Sequence, residues 1–277
     1  MGVSETTSPT TFTTADASPT ADASPSADPF AIDHELRDLV APAFRFLHER
    51  YWRIEVTGAE HVPAEGPVLL VANHSGALPF DGAMIIASVE IERGRAVRFL
   101  YDRFIEAVLP LDAFYRKVGG VVATRENAQE LLRRGEPVLL FPEGISGVAK
   151  PFSERYRLRS FSPGFARLSM ALDVPVVPVA VVGAEEIYPL VGRAENIGKV
   201  LGMPYLPITP FFPLLGLLGA LPLPTKWFIR FGRPVRFAVE AMETSYLRAR
   251  DEAVHLRRRL QGMVTRLKSR RRSVFFG

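Results

Sequence analysis

Residues 73–81, Asn-His-Ser-Gly-Ala-Leu-Pro-Phe-Asp, hold an imidazole (His74) and a carboxylate (Asp81) with six residues between them. An imidazole held by a carboxylate is a general-base arrangement. The acid fixes the tautomer through one ring nitrogen and stabilises the imidazolium that forms at the other. The apolar run PVLLVA at 67–72 precedes the pair, so His74 leaves a strand end, where ligands of open α/β folds gather. Pro79 pushes Leu78 out of helical geometry and suits a first helical position, which makes Asp81 a helix-start residue. The two residues alone also fit a capping aspartate beside an unrelated loop histidine.

Two further stretches add chemistry. The run PVLLF at 137–141 leads directly into Pro142-Glu143-Gly144, which sets another carboxylate at a strand's carboxyl end. In GGVVATREN, at 119–127, Arg125 opens a helix, and a guanidinium beside a helix N-terminus is a phosphate site. It also reads as an ordinary exposed first-turn arginine.

The elements that must position these groups follow from apolar periodicity. Helical spacing marks 30–48 (Leu36, Leu39, Val40, Phe44, Leu47), with further helices at 81–89, 125–134, 163–172 and about 240–268. Apolar runs without polar alternation lie at 67–72, 96–100, 137–141, 174–183 and 227–232, as in a sheet buried on both faces. Their alternation with helices predicts an α/β layer fold. Residues 1–29 are almost wholly Ser, Thr, Pro, Ala and Asp and read as a disordered leader, neither signal nor transit peptide. Zero cysteines exclude a disulfide framework, a thiolate nucleophile and a Cys-ligated metal, and no His/Asp/Glu cluster suggests another metal site.

In order and spacing, NHSGALPFD, GGVVATR, FPEG and VPVVPVAVVG resemble the four successive blocks of the glycerolipid acyltransferases, over about residues 50–235. That family includes the lysophosphatidate acyltransferases and, more distantly, the mono- and diacylglycerol acyltransferases. The resemblance implies a mixed, mostly parallel sheet flanked by helices in an acyltransferase domain at 30–239. It also implies acyl transfer to a lipid hydroxyl on the cytoplasmic face of the cell membrane. The acyl donor would be acyl-CoA or acyl carrier protein, a co-substrate, with no bound cofactor or metal. His74 would take the acceptor's hydroxyl proton, and Asp81 would orient and charge-balance His74. Arg125 would hold a phosphate or other polar head, and Glu143 and Gly144 would shape the acceptor site. Pro178 would help place the acyl chain or the strand. Backbone amides from Ser75 to Ala77 would serve as oxyanion donors.

The chain departs from the family pattern twice. Six residues separate His74 from Asp81 where four are usual, a form nearer the neutral-lipid branch. Ile145-Ser146-Gly147 replaces the end of the third block and removes its basic residue. Lys150, with Ser146 nearby, or the alternating Arg155, Arg157 and Arg159, could substitute, although those arginines also read as a loop paired in part with Glu154. The acceptor is thus lysophosphatidate-like or a neutral lipid alcohol. A serine hydrolase is the rival enzyme, with Ser146, Asp251 and His255 in chain order, but Gly-Ile-Ser-Gly lacks the second spacing of a nucleophile elbow.

Membrane contact is a separate expectation. Residues 200–225 hold no charge and six prolines, which forbid a regular spanning helix. The stretch, through Phe211, Phe212, Leu214, Leu215, Leu217 and Leu218, reads as a loop packed on the domain. It reads equally as a hairpin that dips into the bilayer or lines an acyl-chain pocket. The net charge of +4 comes from the end: residues 248–277 carry 10 Lys+Arg against 2 Asp+Glu. A cationic helix ending in Val274-Phe275-Phe276 suits an anionic membrane surface better than nucleic acid. A lipid-binding module without catalysis is the non-enzymatic alternative.

Overall fold

A computed structural model describes residues 28–74, 79–107, 110–200, 205–238 and 245–277. Most of the expected leader and the Ser75 to Ala77 amides lie outside the described residues, as does the Leu217 side chain. The strands are β1 (Glu55–Thr57), β2 (Val68–Ala72), β3 (Arg98–Tyr101), β4 (Gly120–Val122), β5 (Pro137–Leu140), β6 (Val176–Val182), β7 (Gly192–Ala194), β8 (Leu206–Ile208) and β9 (Phe228–Phe231). The α-helices are α1 (His34–Phe46), α2 (Phe80–Arg93), α3 (Leu111–Lys117), α4 (Arg125–Arg133), α5 (Ile145–Val148), α6 (Gly164–Leu172), α7 (Glu195–Val200) and α8 (Ser245–Arg270).

Seven strands form one sheet in the order β1-β9-β6-β2-β5-β3-β4, and β7 pairs with β8 separately. The five strands from β6 to β4 run parallel, while β9 is antiparallel to β6 and parallel to β1. The sheet is therefore mixed and mostly parallel, as expected. One edge collects the carboxyl ends of β2, β5 and β6 and the amino ends of β9 and β1.

Strand alternation assigns the two faces. Val68, Leu70 and Ala72 join Met84, Ile85 and Val89 of α2, together with Trp52 and Trp227, in one core. Leu69 and Val71 point the other way, onto Leu131 and Leu132 of α4, Phe165 and Ala166 of α6, and Leu256 of α8. A strand buried on both faces needs no polar alternation, which is why β2, β5 and β6 are readable as apolar runs.

The basic terminal segment, set apart by charge, is part of this core. Leu256, Leu260, Met263, Val264 and Leu267 of α8 are buried, several of them against Ala180 and Val182 of β6. Its arginines occupy the other stripe of the helix. The tail is also tied in: Val274 O accepts from Lys226 N at 2.8 Å, and Arg271 bonds to Glu186 and to the Tyr156 hydroxyl.

The uncharged segment forms a compact turn. The Thr209 hydroxyl accepts from Phe212 N at 2.9 Å, and Leu215 N donates to Phe211 O at 2.7 Å. Gly219 packs so closely on Phe211 that an added Cβ would lie 2.1 Å from its carbonyl oxygen. Tyr188, Tyr51 and Trp52 donate to the carbonyls of Ala220, Pro222 and Leu223, which fastens the lobe to the body. Phe211, Leu214, Leu215, Leu218 and Leu221 are exposed, and Phe212 is half-buried. The loop is thus anchored through its backbone while its apolar side chains face outward. No described helix is long and apolar enough to cross a membrane.

Candidate active site

His74 follows β2 at the sheet's carboxyl edge and Asp81 lies in the first turn of α2. Their side chains meet, with His74 Nδ1 2.8 Å from Asp81 Oδ2. Asp81 is fully buried, and its other oxygen accepts from Gly82 N at 2.8 Å. His74 retains 15% side-chain exposure. The Phe141 ring, just past β5, stacks on the imidazole at 4.1 Å between centroids and 18° between planes. One nitrogen is therefore held by a carboxylate, and the ring cannot tilt without leaving its stacking partner.

The backbone beneath His74 is fixed from two sides. Asn73 donates through Nδ2 to Val181 O at 3.1 Å and accepts from Val181 N at 2.8 Å, clamping the end of β2 onto β6. Two such buried bonds contribute roughly 0.5–1.5 kcal/mol each, and more is lost if one partner is removed. Glu143 accepts from His74 N at 3.0 Å through one oxygen and from Arg159 N at 2.7 Å through the other.

Glu143 is therefore an anchor rather than an exposed wall of the site: its side chain is wholly buried. Gly144 adopts φ 55° and ψ −149°, a conformation essentially reserved for glycine, and turns the chain into α5. Gly147 packs under His74, so that an added Cβ would lie 2.8 Å from Glu143 Cβ and 3.0 Å from His74 Cβ.

Three of the four expected substitutes for the missing basic residue, Lys150, Arg155 and Arg159, have partners within the protein, while Arg157 is exposed. Lys150 is buried, with Nζ 2.9 Å from Glu185 Oε1 and 3.7 Å from Glu143 Oε2. Burial pushes Glu185 above the ordinary carboxylate range, opposed by the Lys150 ammonium. Arg159 bonds to Glu154, and Arg155 donates to Phe152 O and lies over the Phe152 ring. Tyr156, at φ 67°, turns the chain within that arginine series.

The other expected residues are dispersed. Arg125 is exposed at the start of α4, after β4, three strands from β2. At about 4.8 Å per strand that is roughly 14 Å across the sheet. Pro178 is buried within β6, level with Val71, and its carbonyl accepts from Gly232 N. Ser146 donates to Glu143 O at 2.6 Å, just before the start of its helix, while His255 is exposed beside Glu252 on α8. Nothing links these two into a triad.

Comparisons with known proteins follow the same line. A family model described as Acyltransferase matches residues 53–182. An uncharacterised protein of Mycobacterium tuberculosis is 38% identical over 248 residues, covering 86% of this chain and 68% of that one. The human protein named DGAT1/2-independent enzyme synthesizing storage lipids is 32% identical over 138 residues, 48% of this chain and 41% of its own. Phytyl ester synthase 2 of Arabidopsis thaliana is 32% identical over 146 residues, 49% of this chain and 20% of its own. Among solved structures, the 1-acyl-sn-glycerophosphate (LPA) acyltransferase PlsC of Thermotoga maritima shares the fold. Its TM-score is 0.55 at 20% identity, over 87% of this chain and 84% of that one.

Proposed function

The chain belongs to the glycerolipid acyltransferase superfamily, and from that premise we propose that it moves a fatty acyl group from a thioester to the hydroxyl of a neutral lipid alcohol. The observation that carries this reading is the 2.8 Å contact of His74 Nδ1 with Asp81 Oδ2 at the carboxyl edge of the sheet. With Nδ1–H donated to Asp81, Nε2 is free to take the hydroxyl proton. The acceptor oxygen then attacks the thioester carbonyl to form the new C–O bond. Collapse of the tetrahedral intermediate breaks the C–S bond, and the departing thiolate takes the proton back from Nε2. No acyl-enzyme is required, because the thioester of acyl-CoA or acyl carrier protein is already activated.

The preference for an uncharged acceptor is supported by the partners that Lys150, Arg155 and Arg159 have within the protein, which leaves Arg157 as the exposed cation of that series. The names of the human and Arabidopsis relatives, a storage-lipid enzyme and a phytyl ester synthase, support the same class. Exposed Arg125 favours the second reading, a lysophosphatidate-like acceptor.

The lobe carrying Leu214, Leu215 and Leu218 is fastened to residues 51–52 and 188, at the edge that holds His74. Phe275 and Phe276 follow the last basic turn of α8 at the same edge. Apolar anchors beside cations suit peripheral docking on an anionic cytoplasmic leaflet.

The test is turnover of palmitoyl-CoA with diacylglycerol, monoacylglycerol, lysophosphatidate or glycerol 3-phosphate, using wild type and His74→Ala. Transfer to a neutral acceptor that vanishes in folded His74→Ala is expected. Retention of near-wild-type transfer in His74→Ala would sink the mechanism, and transfer restricted to phosphorylated acceptors would overturn the substrate class.

A further inference from the structure

The chain lacks the basic residue of its third block, where Ser146 stands, yet buries a lysine four positions later. Lys150 has 3% side-chain exposure and faces two carboxylates, Glu185 at 2.9 Å and Glu143 at 3.7 Å, whose side chains are 7% and 0% exposed. Each carboxylate takes backbone amides with its oxygens. Glu143 holds His74 N and Arg159 N, and Glu185 Oε2 holds Tyr156 N at 2.7 Å. One ammonium therefore serves a cluster that ties the histidine loop to the 156–159 strap. Two carboxylates taken out of water without a cation would repel each other and lose solvation.

We propose that Lys150 is a positioning residue for His74: it supplies the counter-charge that lets buried Glu143 grip the His74 amide, and so holds the imidazole where it can act as base. This rests on the acyl-transfer reading above. The basic residue is then retained in function but turned inward, toward the base instead of the acceptor. Gly147 allows the arrangement, since a Cβ there would lie 2.8 Å from Glu143 Cβ and 3.0 Å from His74 Cβ.

A positioning role makes a distinct kinetic statement. Lys150→Met removes the charge at similar volume and Glu143→Gln leaves one acceptor oxygen for two backbone amides, so both weaken the same grip and their effects must not multiply. A displacement of the base by about 1 Å costs on the order of a hundredfold, and partial loosening about tenfold.

The experiment measures kcat and KM with palmitoyl-CoA and dioleoylglycerol in detergent micelles, well below the melting temperature of each variant, and normalises to folded protein. Lys150→Met and Glu143→Gln are each expected to lower kcat about tenfold or more, with both KM values within about twofold. The double variant should be no slower than the slower single one. If Lys150→Met does not fold, Lys150→Gln, which keeps a donor for Glu185, replaces it in the same cycle. A kcat within twofold of wild type for the lysine variant, or losses that multiply, overturns the proposal. His74→Ala is run alongside: if it is inactive while the lysine variant is normal, only this inference fails. If His74→Ala is active, the acyl-transfer reading fails with it.

Discussion

His74 Nδ1 and Asp81 Oδ2 are 2.8 Å apart because one residue trails a strand and the other opens the helix that folds back beside it. Asp81→Asn keeps the shape of the side chain and its bond from Gly82, but an amide NH2 facing Nδ1 reverses the tautomer and puts the proton on Nε2. That nitrogen can then no longer accept the hydroxyl proton. The expected loss in kcat is about 10³–10⁴-fold, the scale for a misdirected imidazole, with little change in melting temperature. Release of free CoA thiol from palmitoyl-CoA in the presence of acceptor checks it.

Gly147→Ala tests the floor of the same site. The new methyl would sit 2.8 Å from Glu143 Cβ and 3.0 Å from His74 Cβ, both on backbone-anchored segments that cannot retreat cheaply. Overpacking of this kind costs about 1–3 kcal/mol. An activity loss of about a hundredfold is expected from displacement of His74. A variant that melts lower yet turns over at the wild-type rate would show that the floor does not set the position of the base.

What could be read from the sequence divides along a physical line. Val68–Ala72, Pro137–Leu140 and Val176–Val182 are buried on both faces and announce themselves as uninterrupted apolar runs. The edge strand Glu55–Thr57 is half solvated and three residues long, and Gly192–Ala194 pairs with a piece of the proline-rich segment, so neither has a periodic signal. In the site, the nearness of His74 to Asp81 was legible because both lie in one loop-helix unit. Glu143 gripping the His74 amide and Lys150 facing Glu185 were not. Those contacts join residues 69 and 35 positions apart, and only the parallel register of β2, β5 and β6 brings them together. From the sequence alone Lys150 reads as an acceptor contact, and its burial against Glu185 and Glu143 corrects that reading.

His48 predicts how stability responds to acid. The ring is buried in a π-helical turn, and Ser88 Oγ, which donates to Met84 O at 2.7 Å, accepts from Nε2–H at 3.0 Å. Nδ1 is buried without a hydrogen-bond partner. Burial lowers the His48 pKa from its ordinary value of 6.5, with Arg45 adding to the effect and Glu49 opposing it. The unfolded chain therefore binds the proton more readily than the folded one. The contribution is complete above about pH 6.5 and is lost as pH falls through the lower folded value. Urea midpoints at pH 7.5 and 5.5 should differ more for wild type than for His48→Met, and equal differences would remove His48 as the cause.

The terminal residues separate fold from surface. Arg271 and Glu186 pair with only 5% and 6% of their side chains exposed, and the same guanidinium reaches the Tyr156 hydroxyl at 3.0 Å. Breaking a buried pair by removing one partner costs about 3–5 kcal/mol, because the other charge stays buried. Arg271→Ala, and any deletion that includes it, should therefore lower the melting temperature sharply. Phe276 is 89% exposed, so its side chain adds little to the fold. Phe276→Ser, combined with Leu214→Ser at 82% exposure, should leave stability within about 0.5 kcal/mol. The same pair removes apolar area that a bilayer interface would bury, and about tenfold weaker retention on phosphatidylserine vesicles is expected. Turnover of a short-chain thioester with a soluble alcohol should stay unchanged in that variant. Loss of vesicle binding in Arg271→Ala alone, with Phe276→Ser and Leu214→Ser bound as tightly as wild type, would assign the tail to the fold and leave the lobe without a role at the membrane.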